Sequence, residues 1–192
     1  MGTSFFRRRW EKLGNKLDHA IHAKRNLTEA IMNEDAQSYK NRLNGYVGDK
    51  DPIQILSLTP ELLQQIVRES DPKKFHEAVP GKWSPAQVLA HFVEGELVSA
   101  YRFRIIANDP GKPIQAYDPD QWVKNANYLV QDPKRAVEAF QVIRRMNLSF
   151  INSLPDESLD AYGIHSERGK ETIKDLLRLM AGHDLNHLKQ LT

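Results

Sequence analysis

Thr172-Ile173-Lys174-Asp175-Leu176-Leu177-Arg178-Leu179-Met180-Ala181-Gly182-His183-Asp184-Leu185-Asn186-His187 is the stretch on which the reading of the fold turns. At about 100° per residue, Leu176, Leu179, Met180, His183, His187 and Gln190 share one helical face. The two histidines therefore continue an apolar, core-facing stripe. Imidazoles at i and i+4 lie one turn apart and about 40° around the axis, so both can reach one ion. Burying them is costly unless their nitrogens are satisfied, and a metal satisfies both at once. The competing reading is two polar groups at a fraying helix end. Asp184 points about 100° away from His183, which suggests solvent or a supporting place behind the histidine. Thr172 or Glu171 opens this helix.

Upstream, one device recurs: a capping residue, then proline, then an apolar helical stripe. Thr59-Pro60 precedes Leu62, Leu63, Ile66 and Val67. Ser84-Pro85, with Gln87 three positions after the cap, completes a capping box before Val88, Leu89, Phe92, Val98, Tyr101 and Ile105. Asn108 to Gly111 stops that helix. Asp132-Pro133 opens another, with Ala136, Val137, Phe140, Ile143, Phe150 and Ile151, ending near Leu154-Pro155. Residues 111–131 and 156–170 read as long loops. No stretch alternates as a strand does, so the expectation is all-α: an antiparallel four-helix bundle over residues 51–192. Asn44, Gly45, Gly48, Asp49, Asp51 and Pro52 mark a boundary, and residues 1–50 read as a basic helical extension.

The 192 residues allow one domain with a real core plus that extension. Cysteine is absent, which excludes disulfides, thiolate ligands and a cysteine nucleophile, leaving histidine and carboxylate for a metal. No apolar run approaches the roughly 20 residues of a membrane span, and Met1–Trp10 has no signal-like apolar region. The expectation is a cytoplasmic protein with no membrane partner. The net charge of +2 is too small to imply a nucleic-acid partner. Residues 1–50 nevertheless hold ten Lys/Arg against six Asp/Glu. Such an arm could meet an acidic partner; a solvated helical extension is the simpler reading.

His91, within the Ser84-Pro85 helix, is the natural third ligand. Gly95 follows it by one turn, and a mid-helix glycine costs about 1 kcal/mol against alanine, tolerable where room is needed. Alone, His91 would read as a hydrogen-bonded core histidine. Glu94 could be a fourth ligand, a general base or a surface charge, with the surface charge favoured. His19 and His22 read as surface residues of the arm. His76 and His165 read as loop residues, His165 being the one expected to approach the site.

Trp83-Ser84-Pro85-Ala86-Gln87-Val88-Leu89-Ala90-His91, then Tyr101-Arg102-Phe103-Arg104, Tyr117-Asp118 with Trp122, and His183-x-x-x-His187 resemble, in order, the motifs of the DinB/YfiT-like family. The resemblance covers about residues 55–192. It implies a four-helix bundle with a three-histidine site for nickel, zinc or a similar divalent ion, the ligands falling at His91, His183 and His187. It also implies a small-molecule substrate, a frequent homodimer, and, in some branches, transfer to or from a low-molecular-weight thiol; others are metal-dependent hydrolases of the YfiT type.

Three neutral imidazoles leave a coordination position open, which is the catalytic pattern. An ion so held acidifies a water or a thiol placed on it. The pattern therefore admits hydrolysis or thiol transfer, with a non-catalytic metal-stabilised bundle or an interaction module as alternatives. Glu94 and His165 are the candidate general bases. Arg102, with Arg104, Tyr117, Trp122 and Lys124, could line a pocket for a thiol's carboxylates, against the simpler expectation that Arg102 pairs with a carboxylate inside the bundle.

Overall fold

Ser84 behaves as its spacing requires. Its hydroxyl accepts from the Gln87 backbone N–H at 3.3 Å, and the Gln87 side chain accepts from the Ser84 N–H at 2.8 Å. With Pro85 at the first helical position, this launches a helix of 24 residues. Thr172 and Asp175 form a second reciprocal cap, and Asp132 caps the helix beginning at Pro133. The structure, a computed structural model, describes residues 35–77 and 79–192. Its helices are α1 (Ala36–Val47), α2 (Pro52–Glu69), α3 (Pro85–Asn108), α4 (Pro119–Asn125), α5 (Pro133–Asn152) and α6 (Ile173–Leu191). His19, His22 and most of the expected arm lie outside the described residues.

Four helices, α2, α3, α5 and α6, make the bundle. Each of α2 and α3 packs against both α5 and α6, so α2 faces α3, and α5 faces α6, across the core, while α3 and α5 are neighbours. The polarity follows from two apolar clusters. Leu63, Val88, Leu89, Phe92, Val137 and Phe140, with Leu188 and Leu191 against them, fill one end. Leu56, Phe103, Ile106, Ile151, Ile173 and Leu176 fill the other. Helices α3 and α5 thus run parallel, and α2 and α6 run opposite to both.

This polarity explains the long connection after α3. The chain must travel back along the bundle before α5 can start beside the start of α3. It does so through β1 (Pro113–Ile114), α4 and a 3-10 turn at Tyr128–Val130. Residues 156–170, expected as loop, instead form a 3-10 turn and enter a hairpin of β2 (Tyr162–His165) and β3 (Gly169–Thr172). β1 adds to β2 in parallel, pairing Ile114 with His165. Strands this short show no alternation to read; their pairing is set by the segments the bundle brings together.

Two expectations about boundaries change. Helix α2 starts at Pro52, capped by Asp51, and runs through Thr59-Pro60 rather than starting there. An internal proline leaves the carbonyl four residues earlier without its donor. Here that carbonyl, Leu56, accepts from the Arg144 guanidinium at 2.8 Å. Secondly, the compact unit begins at Lys40, not residue 51. Leu43 and Val47 are fully buried, and the Arg178 side chain donates to the carbonyls of Asn44 and Gly48.

Gly182 permits the contact between α1 and α6. A Cβ there would lie 2.4 Å from the Leu43 carbonyl oxygen and 2.7 Å from its carbon. Both are backbone atoms and cannot swing aside. Gly182→Ala should therefore cost about 1–3 kcal/mol, the usual penalty of overpacking, read as a lower urea midpoint with an unchanged slope. An unchanged midpoint would show that α1 is not held against α6 in solution.

Candidate metal centre

The cap that starts α3 fixes the turn on which His91 emerges, and the bundle brings it against the last two turns of α6. Nε2 of His91 stands 2.8 Å from Nε2 of His183. The ring of His187 is centred 4.9 Å from His91 and 4.3 Å from His183. One nitrogen from each of the three lies within 4.8 Å of the others. His91 and His187 are buried, and the His183 side chain keeps 18% of its surface exposed, leaving a solvent-facing side.

Aromatic rings wall the cluster. Trp83 lies 4.8 Å from His91 and stacks nearly parallel to His187 at 6.1 Å. Phe92 sits 5.9 Å from His183 and 5.8 Å from His187, while Tyr117, itself 4.6 Å from Trp122, stands 6.5 Å from His91. Burial, followed by the charge of the neighbouring histidines, pushes His91 well below the ordinary histidine value and His187 down to about 3. Both are neutral at pH 7, the form that offers a lone pair to a metal. Nδ1 of His187 donates to Gln190 Oε1 at 2.9 Å, which leaves Nε2 as its free acceptor. The donor set therefore fits a divalent ion of borderline softness. Gly95 faces this cluster; a Cβ there would meet His183 Cε1 at 3.7 Å, an ordinary contact, so the ring fits without needing the glycine.

Behind the histidines lies a polar layer that the sequence reading missed. Arg144, 1% exposed, donates to both oxygens of Asp184 at 2.8 and 3.2 Å and to Glu96 at 2.8 Å. Asn147 donates to the Glu96 carboxylate at 2.9 Å and to its backbone carbonyl at 3.1 Å. With Leu56, this network ties all four bundle helices at mid-height. Burial opposes the Arg144 charge, but Asp184 and then Glu96 outweigh it and raise the guanidinium above its usual value. Burial alone would raise Asp184; Arg144 and then His183 hold it below the usual carboxylate range. Asp184 is thus buried, not solvated, and its carboxylate lies 3.8 Å from His183 Nδ1, backing the ring.

Other expected residues move. Glu94 is buried, not a surface charge: Tyr128 donates its hydroxyl to Oε1, and Oε2 has no protein partner among the described residues. Burial raises its carboxyl above the usual range, against the opposing Tyr128 bond. Arg102 is buried but meets no carboxylate within 4 Å among the described residues; it donates to the Gln115 carbonyl instead. Arg104 leaves the pocket for the α3–α5 interface, reaching Asn147 at 3.3 Å and lying over Phe150. His76 bonds the Leu129 carbonyl and is not one of the three clustered histidines. Lys124 is exposed.

His165 ends β2, almost fully buried. Its Nδ1 accepts the backbone N–H groups of Glu167 and Arg168 at 3.2 and 3.4 Å. The proton of the neutral ring then sits on Nε2, so neither nitrogen is free to act as a base. Burial first, then Arg168 and Arg102, push the ring down to about 4. Unfolded, the same ring titrates near 6.5. Below that value the unfolded chain binds the extra proton, so this histidine's contribution to stability is complete above pH 6.5 and is lost as pH falls toward 4. His165→Gln should flatten the stability–pH curve in that window by up to about 1.4 kcal/mol per pH unit, measured by urea unfolding. An unchanged slope would mean His165 is protonated in the fold.

A helical bundle that gathers three histidines from two helices into an aromatic-walled pocket defines the class of this protein. The chain belongs to the DinB superfamily, whose model matches residues 55–191. It is similar to a Bacillus cereus protein named "putative metal-dependent hydrolase", 23% identical over 145 residues, covering 73% of this chain and 81% of that one. Among solved structures it resembles YfiT from Bacillus subtilis, described as a probable metal-dependent hydrolase with an unusual four-helix bundle topology (TM-score 0.67, 21% identity, 73% and 83% of the two chains). It also resembles a mycothiol-dependent maleylpyruvate isomerase (TM-score 0.60, 10% identity, 73% and 59%). Among the described residues no helix is long and apolar enough to cross a membrane.

Proposed function

We propose that this protein is a metal-dependent enzyme acting on a small molecule, with one zinc or nickel ion held by His91, His183 and His187. The observation that carries this reading is the convergence of three imidazoles, two of them buried and neutral at pH 7, on one pocket. When bound, such an ion supplies Lewis acidity toward a water, thiol or carbonyl placed beside it.

The chain's own residues supply the rest. Asp184, held by Arg144, orients His183; Gln190 fixes the tautomer of His187. Trp83, Phe92 and Tyr117 exclude bulk water from the cluster, which strengthens electrostatic effects inside it. Glu94, one turn from His91, has an unpaired buried oxygen and a raised carboxyl, the properties of a group that takes and returns a proton. Hydrolysis uses Glu94 to accept a proton from water; thiol transfer uses it toward the thiol. The bundle's likeness to a mycothiol-dependent isomerase keeps the second reaction beside the first.

We infer a homodimer from exposed apolar side chains on adjacent helices, Leu97 and Tyr101 on α3 and Val142 and Met146 on α5, testable by sedimentation. The functional test is elemental analysis of protein purified without a histidine tag, followed by assays with esters, amides and thiol–electrophile pairs. Stoichiometric metal with turnover of one class supports the reading. Metal with no turnover, unaffected by Glu94→Gln in any assay, favours a non-catalytic bundle. No metal under any loading condition ends it.

A further inference from the structure

The hairpin and the start of the long crossover enclose a second cluster beyond the histidines. Arg102 lies three turns along α3 from His91 and is 8% exposed. One Nη2 hydrogen bond goes to the Gln115 carbonyl, and the same nitrogen stands 3.3 Å from Nε2 of His165. With the His165 proton on Nε2, two N–H donors face each other and neither can accept. Nε of Arg102 is also buried without an acceptor among the described residues.

Among the described residues, Arg102 lacks a bonded counter-charge in the same place. Arg168 takes Glu171 with two bonds, at 2.6 and 2.9 Å, and Glu171 is fully buried by that pair. Glu171, so engaged, and Glu167 favour the Arg102 charge from a distance, but no carboxylate bonds this guanidinium among the described residues. A buried cation without a counter-charge is strongly unfavourable. Burial first and then Arg168 lower Arg102 against the opposing pull of Tyr117, Glu171 and Glu167, and burial with the same two arginines lowers His165.

The cluster adjoins the histidine centre. Gln115, which receives Arg102, is two residues before Tyr117, whose ring stands 6.5 Å from His91. Two extended residues span about 7 Å. One short segment therefore borders both places.

We propose that Arg102 and His165 form a subsite for a carboxylate, and that the ligand reaching the three-histidine centre is an organic acid whose carboxylate is held there. The planar guanidinium fork and the imidazole N–H match two oxygens of one carboxylate, which supplies the missing acceptor and the missing charge together. The placement of the ligand's other end rests on the metal-centre reading above; the carboxylate subsite does not.

The test is calorimetric titration of the full chain, at fixed ionic strength, with 3-mercaptopropionate, 6-mercaptohexanoate and their uncharged methyl esters. In the wild type at least one carboxylate binds roughly ten-fold or more tightly than its ester, and in Arg102→Met that preference falls to near unity. Arg102→Gln, uncharged but still polar, gives the same loss should the methionine variant fail to fold. Neither folded variant melts below the wild type by more than a few degrees, since Arg102 bonds no carboxylate among the described residues and gives up one hydrogen bond, to the Gln115 carbonyl. A wild type that binds acid and ester alike, or an Arg102 variant that keeps the preference, overturns the proposal. Repeating the titration after metal removal separates the two readings: the acid–ester preference persists, while affinity for the thiol end falls. Thiol affinity unchanged by metal removal would sink the metal centre and leave the carboxylate subsite standing.

Discussion

His91→Phe should abolish the metal binding proposed above while leaving the bundle folded. Phenylalanine roughly conserves the ring's volume and suits its apolar surroundings of Trp83 and Phe92, but it offers no lone pair. The two remaining histidines, one turn apart on α6, form only a bidentate site. The effect should be as large in the thermal response as in metal content. A ligand that binds only the folded state stabilises it by about 4 kcal/mol at a thousand-fold excess over Kd, so adding zinc or nickel should raise the melting temperature of the wild type by several degrees. The same addition should leave His91→Phe unmoved. Wild-type protein that neither carries metal nor responds to it would refute the assignment of all three ligands. Metal retained by the variant would remove His91 alone from the set.

Arg144→Met carries the largest expected loss of stability. The guanidinium is the sole cation bonded to Glu96 and Asp184 among the described residues, and it also satisfies the Leu56 carbonyl freed by Pro60. Removing it strands two buried carboxylates, and breaking a buried ion pair from one side typically costs about 3–5 kcal/mol. Against a total stability of about 5–15 kcal/mol, that leaves the variant marginal at ambient temperature. Neutralising the partners as well, with Glu96→Gln and Asp184→Asn in the Arg144→Met background, should recover most of the loss, because the penalty lies in unpaired charge. Urea unfolding of the single and triple variants decides the point. A single variant within about 1 kcal/mol of wild type would mean the network contributes little, as exposed ion pairs do.

The network also couples stability to the site. Asp184 is bonded to Arg144 on one side and backs His183 on the other. Loss of Arg144 should therefore weaken metal binding as well, even in the folded fraction. The triple variant, with its layer neutral, should keep its fold and yet bind metal less tightly, since an amide backs the imidazole less strongly than a carboxylate.

Much of this was written in the stripes. Caps at Ser84, Asp132 and Thr172 appear in the sequence because capping is local: a hydroxyl or carboxylate and the N–H groups two or three residues on. His183 and His187 were legible because helical spacing alone puts them on the core face. The polar layer had a readable signal too. Glu96 stands between Phe92 and Phe103 at core spacing, and Arg144 and Asn147 stand between Phe140 and Ile151. Charged residues at core positions on two helices announce a buried pair, but not which carboxylates meet which arginine.

By itself, then, the sequence determined the four bundle helices, the caps of three of them and the core-facing placement of His183 and His187, which depend on residues within a few turns of one another, and it excluded cysteine as ligand or nucleophile. Tertiary structure alone decided that α3 and α5 run parallel, that Glu94 is buried against Tyr128, and that Arg102 finds His165 instead of a carboxylate. Those outcomes rest on contacts between segments from 34 to 63 residues apart, such as Tyr128 with Glu94 and His165 with Arg102. Which distant partners meet is fixed by how whole helices pack, and no local pattern of hydrogen bonds or periodicity encodes it.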